Sequence, residues 1–137
     1  MFERILLAVD GSEPAKKGVP LAGGLALKFG AEVIVLHVRE HEVNWGADID
    51  LESPAEAADL VDDVVRELKD RGVSARGEII RAVMGLAAKE IVREAAESDA
   101  GVIVMGTRGL TDWKGLLLGS VAHKVLSHAP CPVLLAR

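Results

Sequence analysis

Val102-Ile103-Val104-Met105-Gly106-Thr107-Arg108-Gly109 sets the architecture of this chain. Four apolar residues in a row read as a strand covered on both faces, and the glycines that follow end it. After nine intervening residues come Gly119-Ser120, where a helical pattern starts. A strand, a glycine-punctuated loop and a helix N-terminus form a site for phosphate groups. Glycines admit backbone N–H groups to a ligand with no Cβ in the way, and the amides and dipole of a helix start favour negative charge.

Four more apolar runs read as strands: Ile5 to Val9, Val33 to Val38, Val73 to Ile80 and Val133 to Ala136. Helical spacing fills the gaps. Ser53-Pro54-Ala55-Glu56 is a capping box with Pro at the first helical position, followed by the stripe Ala57, Leu60, Val61, Val64, Leu68 and closed by Gly72. Ala88, Ile91, Val92, Ala95 repeat the spacing, as do Ala122, Val125, Leu126, Ala129. A helix opening at Ser12 is interrupted by Gly18, Pro20, Gly23 and Gly24, yet Val19, Ala22, Ala26 and Phe29 predict one apolar face with a kink near Pro20. Strands alternating with helices imply βαβ units, hence an open parallel sheet of five strands with helices on both faces.

Strand order follows from the patterns. Runs one, two and four are continuously apolar, as central parallel strands are. Run three alternates through Arg76 and Glu78, and run five is entered through Pro130-Cys131-Pro132, so both read as edges. The order is then 3-2-1-4-5, with its switch point between the first and fourth strands. Ligands bind at such points in open α/β sheets. Asp10-Gly11-Ser12 and the loop from Gly106 to Gly119 meet there.

The chain of 137 residues is long enough for one domain, 1–137, with its own core. Half of it is hydrophobic and only Phe and Trp, two each, are aromatic, so Val, Leu, Ile and Ala build that core. A net charge of −5 argues against a general nucleic-acid partner. One cysteine, Cys131, forms no internal disulfide framework. Met1-Phe2-Glu3-Arg4 runs straight into a strand, and no apolar run reaches membrane-spanning length. A cytoplasmic domain with no membrane partner is the expectation.

Each candidate residue has a plainer role to weigh. The glycine loop lacks Gly-Lys-Ser/Thr, so it is no Walker loop, and it follows strand four rather than strand one, so it is no Rossmann fingerprint. A tight turn without ligand is the plainer reading; the third glycine, Ser120 and the switch point favour phosphate. Asp10 would begin a turn with Gly11, but its place at the crevice mouth suits ribose hydroxyls or a hydrated cation; Ser12 reads as an N-cap. His37 reads as a core or loop-anchoring residue, and His41, His123 and His128 lie apart, without metal-ligand spacing. Cys131 reads as packed, and the acidic residues from Asp59 to Asp63 as a solvated helix face. Residues 39–53, polar, with Trp45 and Ile49 as anchors, read as a mobile loop or partial lid. No Ser-His-Asp or Cys-His constellation is present, and a phosphorelay receiver would need an acidic pair and a strand-five Lys that are missing.

Ile5-Leu6-Leu7-Ala8-Val9-Asp10-Gly11-Ser12, Val33 to Val38, Val104 to Gly109, Leu116 to Leu126 and His128 to Leu135 together resemble the universal stress protein family, across essentially the whole chain. The Gly-two-Gly-nine-Gly-Ser spacing is similar to its ATP-binding branch. The resemblance implies an adenine nucleotide alpha-hydrolase-like sheet, bound ATP with Mg²⁺ held mainly through the phosphates, and a homodimer. Asp10 matches the family residue near ribose, Ala8 and Val9 its strand neighbours, and Val38 the residue whose backbone meets adenine. Met105 precedes the phosphate stretch, matched by Gly106, Arg108, Gly109, Gly119, Ser120 and Val121. Thr111-Asp112-Trp113-Lys114 departs from the small residues usual in that loop: Asp112 would weaken phosphate binding and Lys114 would offset it. Met84-Gly85-Leu86 lacks the Pro that often follows Gly in relatives.

The expected function is that of a stress-response protein for which ATP is a conformational or regulatory ligand. Turnover needs a water-orienting group and stabilisation of the transferring phosphoryl. Arg108 and Asp10 alone support at most slow hydrolysis, and no catalytic residue is assigned. The alternative is a dimeric interaction module that does not use nucleotide. An adenylyl-transfer enzyme is third, since the Ser-Gly-Gly loop after strand one is absent. The apolar strand Val133 to Ala136, with only Arg137 behind it, is expected to pair with its own copy, Pro130 and Pro132 limiting the pairing.

Overall fold

The computed structural model describes residues 2–108 and 118–137. Its strands are β1 (Arg4–Ala8), β2 (Glu32–Asn44), β3 (Ala47–Asp50), β4 (Ser74–Val83), β5 (Val102–Gly106) and β6 (Val133–Ala136). The helices are α1 (Glu13–Lys16), α2 (Gly18–Phe29), α3 (Pro54–Asp70), α4 (Ala87–Glu97) and α5 (Ser120–His128). Strands β4, β2, β1, β5 and β6 lie side by side and parallel, which is the expected order.

Period-two alternation along the central strands feeds two apolar layers. Ile5, Leu7, Val33, Val35 and Val104 face α2 and α3, where Val19, Ala22, Ala26, Val61, Val64 and Leu68 meet them. Leu6, Ala8, Ile34, Leu36 and Ile103 face α4 and α5, against Ala88, Ile91, Ala95, Ala122 and Val125. Phe29 and Leu126 do not join these layers as their spacing predicted. Both are exposed, and Phe29 stacks at 5.0 Å on Phe2.

Three local expectations are corrected. The first helix is broken at Lys17 rather than bent at Pro20: Pro20 falls in the first turn of α2, where its missing N–H is not needed. The sheet also carries a sixth strand. Residues expected as a mobile connection continue β2 to Asn44, turn at Trp45-Gly46 with φ of 52° and 77°, and return as β3, antiparallel to β2. Two consecutive left-handed residues are what a tight hairpin turn requires. Trp45 is therefore no anchor; it is 99% exposed, and Ile49 is half-exposed.

The hairpin prolongs the β1 side of β2. Leu36 O accepts from Val9 N at 2.9 Å and Glu40 O, two pleats on, accepts from Leu51 N at 3.2 Å, so β3 takes over the edge where β1 ends. Arg39 reaches Asp50 at 3.4 Å, His41 reaches Asp48 at 2.6 Å, and Arg81 on β4 reaches both aspartates at 2.8 and 2.9 Å. The Arg81 hydrogen bond holds the Asp48 carboxyl below the usual carboxylate range. Among the described residues no helix is long and apolar enough to cross a membrane.

Candidate functional site

Where β1 and β5 end, beside the middle of β2, the layers part around a cavity of about 240 Å³. Ala8, Val9 and Asp10 form its floor with Met105 and Gly106, while Leu36 and Val38 line the β2 side. Arg108 enters beyond β5, and Val121 and Ala122 in the first turn of α5 close the far side. Parallel strands end together at the switch point, and the helices that follow diverge from it; that divergence opens the space.

Of the expected site residues, Ala8, Val9, Asp10, Val38, Met105, Gly106, Arg108 and Val121 line this cavity together. Gly119 is buried as the N-cap of α5, and its N–H donates to Thr107 O, joining the two ends of the glycine loop. Ser120 does not line the cavity and is exposed at the first helical position. Gly109 lies outside the described residues, as do Thr111, Asp112, Trp113 and Lys114.

Both readings of Asp10 meet in one geometry. Its Oδ1 accepts the Ser12 N–H at 2.9 Å across Gly11, which is left-handed with φ 83°, while the same residue borders the cavity. Ser12 is the N-cap of α1, its Oγ accepting from Ala15 N at 3.2 Å. Arg108 is the one arginine or lysine lining the cavity among the described residues, and Asp10, Glu40 and Glu52 line it too.

The wall from the hairpin side was missed in the sequence. Glu40, Leu51 and Glu52 stand over the cavity, as do Ala15, Ala87 and Ile91 from the helices. His37 holds this wall in place: its buried ring donates from Nδ1 to Val9 O at 2.8 Å, and its Nε2 pairs with Glu52 Oε1. The loop-anchoring role expected of His37 is the one the geometry shows. The signal for the wall was the alternation Ala47-Asp48-Ile49-Asp50-Leu51-Glu52.

Elsewhere, burial pushes the Glu94 carboxyl on α4 up to about 7, and its hydrogen bond to Glu78 on β4 adds to the rise. Burial likewise raises the Cys131 thiol, which suits a packed rather than a nucleophilic cysteine.

The model of the universal stress protein family matches residues 1–137. A universal stress protein of Thermus aquaticus is 37% identical over 139 residues, spanning 100% of both chains. Protein MJ0577 of Methanocaldococcus jannaschii superposes with a TM-score of 0.82 at 25% identity, over 99% of this chain and 96% of that one. The universal stress protein of Archaeoglobus fulgidus, solved in complex with dAMP, superposes with a TM-score of 0.75 at 23% identity, over 100% and 98% of the two chains. With the sheet order, the switch-point cavity and the whole-length match in agreement, the chain belongs to the universal stress protein family.

Proposed function

We propose that the cavity binds an adenine nucleotide, ATP with Mg²⁺, as a ligand that sets conformation or partner choice. One observation carries this reading: Asp10, Val38, Gly106, Arg108 and Val121, far apart in the chain, converge on a single cavity at the switch point. Its volume of about 240 Å³ lies just below the usual range for ligand pockets, which suits a nucleoside inside with phosphates reaching out past Arg108. The apolar floor and Val38 beside it on β2 suit adenine. Asp10 suits the ribose hydroxyls, since a bare carboxylate repels phosphate and accepts from hydroxyls. The positive end of α5 behind Gly119 suits the phosphates, whose remaining charge Mg²⁺ would neutralise. The dAMP complex of the Archaeoglobus fulgidus protein supports the same chemistry on this fold.

ATP is a ligand here rather than a fuel. Asp10 and Arg108 are the groups this reading places at the nucleotide, while Glu40 and Glu52 stand on the hairpin side with Glu52 paired to His37, so hydrolysis is proposed to be slow at most. The test is calorimetric. Wild-type protein should bind MgATP, and denatured protein should release adenine nucleotide on chromatography. Gly119→Val, which puts a branched side chain at the buried N-cap, should abolish binding at unchanged circular dichroism. Unaltered ATP affinity in that variant would remove the glycine loop from the site.

The exposed hairpin favours a second reading. Trp45, Val43 and Ile49 present apolar surface to solvent, as an interaction module that ignores nucleotide would. Absence of nucleotide from purified protein and of MgATP binding in the calorimeter would select it. In either case we propose a homodimer through β6, whose outer edge no described strand covers.

A further inference from the structure

The bond between His37 and the segment after β3 raises a question of proton count. Val9 O is a carbonyl and has no hydrogen to give, so the His37 Nδ1 that lies 2.8 Å from it carries one. A neutral imidazole would then present a bare Nε2. Across from Nε2 stands Glu52 Oε1, which as a carboxylate is also only an acceptor. The contact therefore closes only while the pair holds one proton, as imidazolium with carboxylate or imidazole with carboxylic acid. When that proton leaves to solvent, two lone pairs face each other in a largely buried position, the His37 side chain being 6% exposed and that of Glu52 25%.

What the bond holds is a wall of the cavity. Glu52 and Leu51 form the strap between β3 and the N-cap Ser53 of α3, and both line the cavity. At the other end of the ring, Val9 adjoins Asp10 on the cavity floor. His37 thus ties floor to wall. The other charged groups lining the cavity are Asp10 at the end of β1, Glu40 on β2 and Arg108 after β5. The helices contribute Ala15, Ala87, Ile91, Val121 and Ala122, none of which titrates.

We propose that His37 and Glu52 form a proton-dependent latch, closing the strap over the cavity when the pair is protonated and releasing it when the pair loses its proton. The sign is fixed by the count: rising pH opens the strap and weakens ligand binding. The ligand arm of this proposal rests on reading the cavity as an adenine-nucleotide site; the strap arm does not. Imidazole is the side chain suited to such a switch between about pH 5 and pH 8.

Two measurements on the full chain test it. Adenosine is the calorimetric probe, because it has no phosphate to titrate in this window. Its affinity should fall about tenfold across the window in wild type, the usual order for losing one charge-assisted hydrogen bond. In Glu52→Gln the amide N–H donates to a neutral Nε2 without an extra proton, so affinity should stay high and flat with pH. Glu52→Ala should be weak and flat. Independently of ligand, amide-exchange protection of residues 47–52 should fall with pH in wild type and persist in Glu52→Gln. Matching pH profiles of protection in wild type and Glu52→Gln would overturn the latch. Protection that behaves as described, with no adenosine bound at any pH, would leave the latch standing and remove the nucleotide reading instead.

Discussion

A Cβ on Gly106 would stand 2.8 Å from the carbonyl carbon and oxygen of Pro14 and 2.9 Å from the nitrogen of Ala15. The end of β5 and the first turn of α1 therefore touch backbone to backbone. Gly106 borders the cavity as well, so the residue reads both as a floor that lets a ligand approach and as the contact that lets α1 settle on the sheet.

Gly106→Ala should consequently lose stability even without any ligand, by about 1–3 kcal/mol, as overpacking against rigid backbone does. Urea denaturation of apo protein checks this. An unchanged midpoint would mean that α1 can retreat and that the glycine serves the ligand alone.

Asp10→Asn keeps an acceptor for the Ser12 N–H, so the turn at Gly11 should survive while the charge is lost. Adenosine and ATP should weaken by similar factors, within the roughly 1.5–3 kcal/mol of a charged hydrogen bond. If adenosine binding holds and only Mg²⁺ dependence vanishes, the carboxylate serves a cation.

Glu94 links stability to pH. Burial, then its hydrogen bond to Glu78, lifts it from 4.5 to about 7, so the folded chain holds a proton that the unfolded chain releases. Stability from this group is full below about pH 4.5 and is lost as pH rises toward 7. Glu94→Gln, which donates to Glu78 without needing that proton, should flatten the slope. With solvent screening on this partly exposed face the gain at about pH 8 should be about 1 kcal/mol, seen as a melting midpoint a few degrees higher. A variant midpoint equal to wild type at that pH would contradict the assignment.

At β6 the ladder identifies the outward groups. Ile103 N donates to Pro132 O at 3.0 Å and Thr107 N to Ala136 O at 3.1 Å, so by period two the amides of Val133 and Leu135 point away from β5. Val133→Pro removes an outward donor and leaves the β5 ladder whole. Light scattering should show a wild-type dimer and a monomeric or aggregated variant. Leu135→Lys is the blunter test, since Leu135 also packs into the α4–α5 layer. A wild-type monomer at micromolar concentration would show that this edge is managed in another way.

The layers and the order of the parallel strands were legible because continuous apolar runs and helical stripes are large, redundant signals. Edge strand β4 was betrayed by Arg76 and Glu78, which pair with each other, Arg76 also reaching Glu32 on β2. The hairpin was not legible. Asp48 and Asp50 belong to a residue type depleted from strands, and Trp45 looked like an anchor because it is large and apolar. Arg39, His41 and Arg81 meet those aspartates across three strands, partners that the sequence order alone does not reveal. The cavity floor was readable from the glycines and Asp10; the wall came from the segment whose fold had been misjudged.

Strand β2 runs 13 residues, and only its first half lies in the packed layers. Its outer half with β3 belongs to the rim. The floor at Ala8, Met105 and Gly106 is locked to the packing, where any change disturbs the fold, while the wall at Glu40, Leu51 and Glu52 hangs on a protruding ribbon. The two halves of the pocket thus answer to different constraints. Selection can rewrite the ribbon, in length or in charge, and alter what the pocket admits and how firmly it shuts, with the scaffold underneath left as it is.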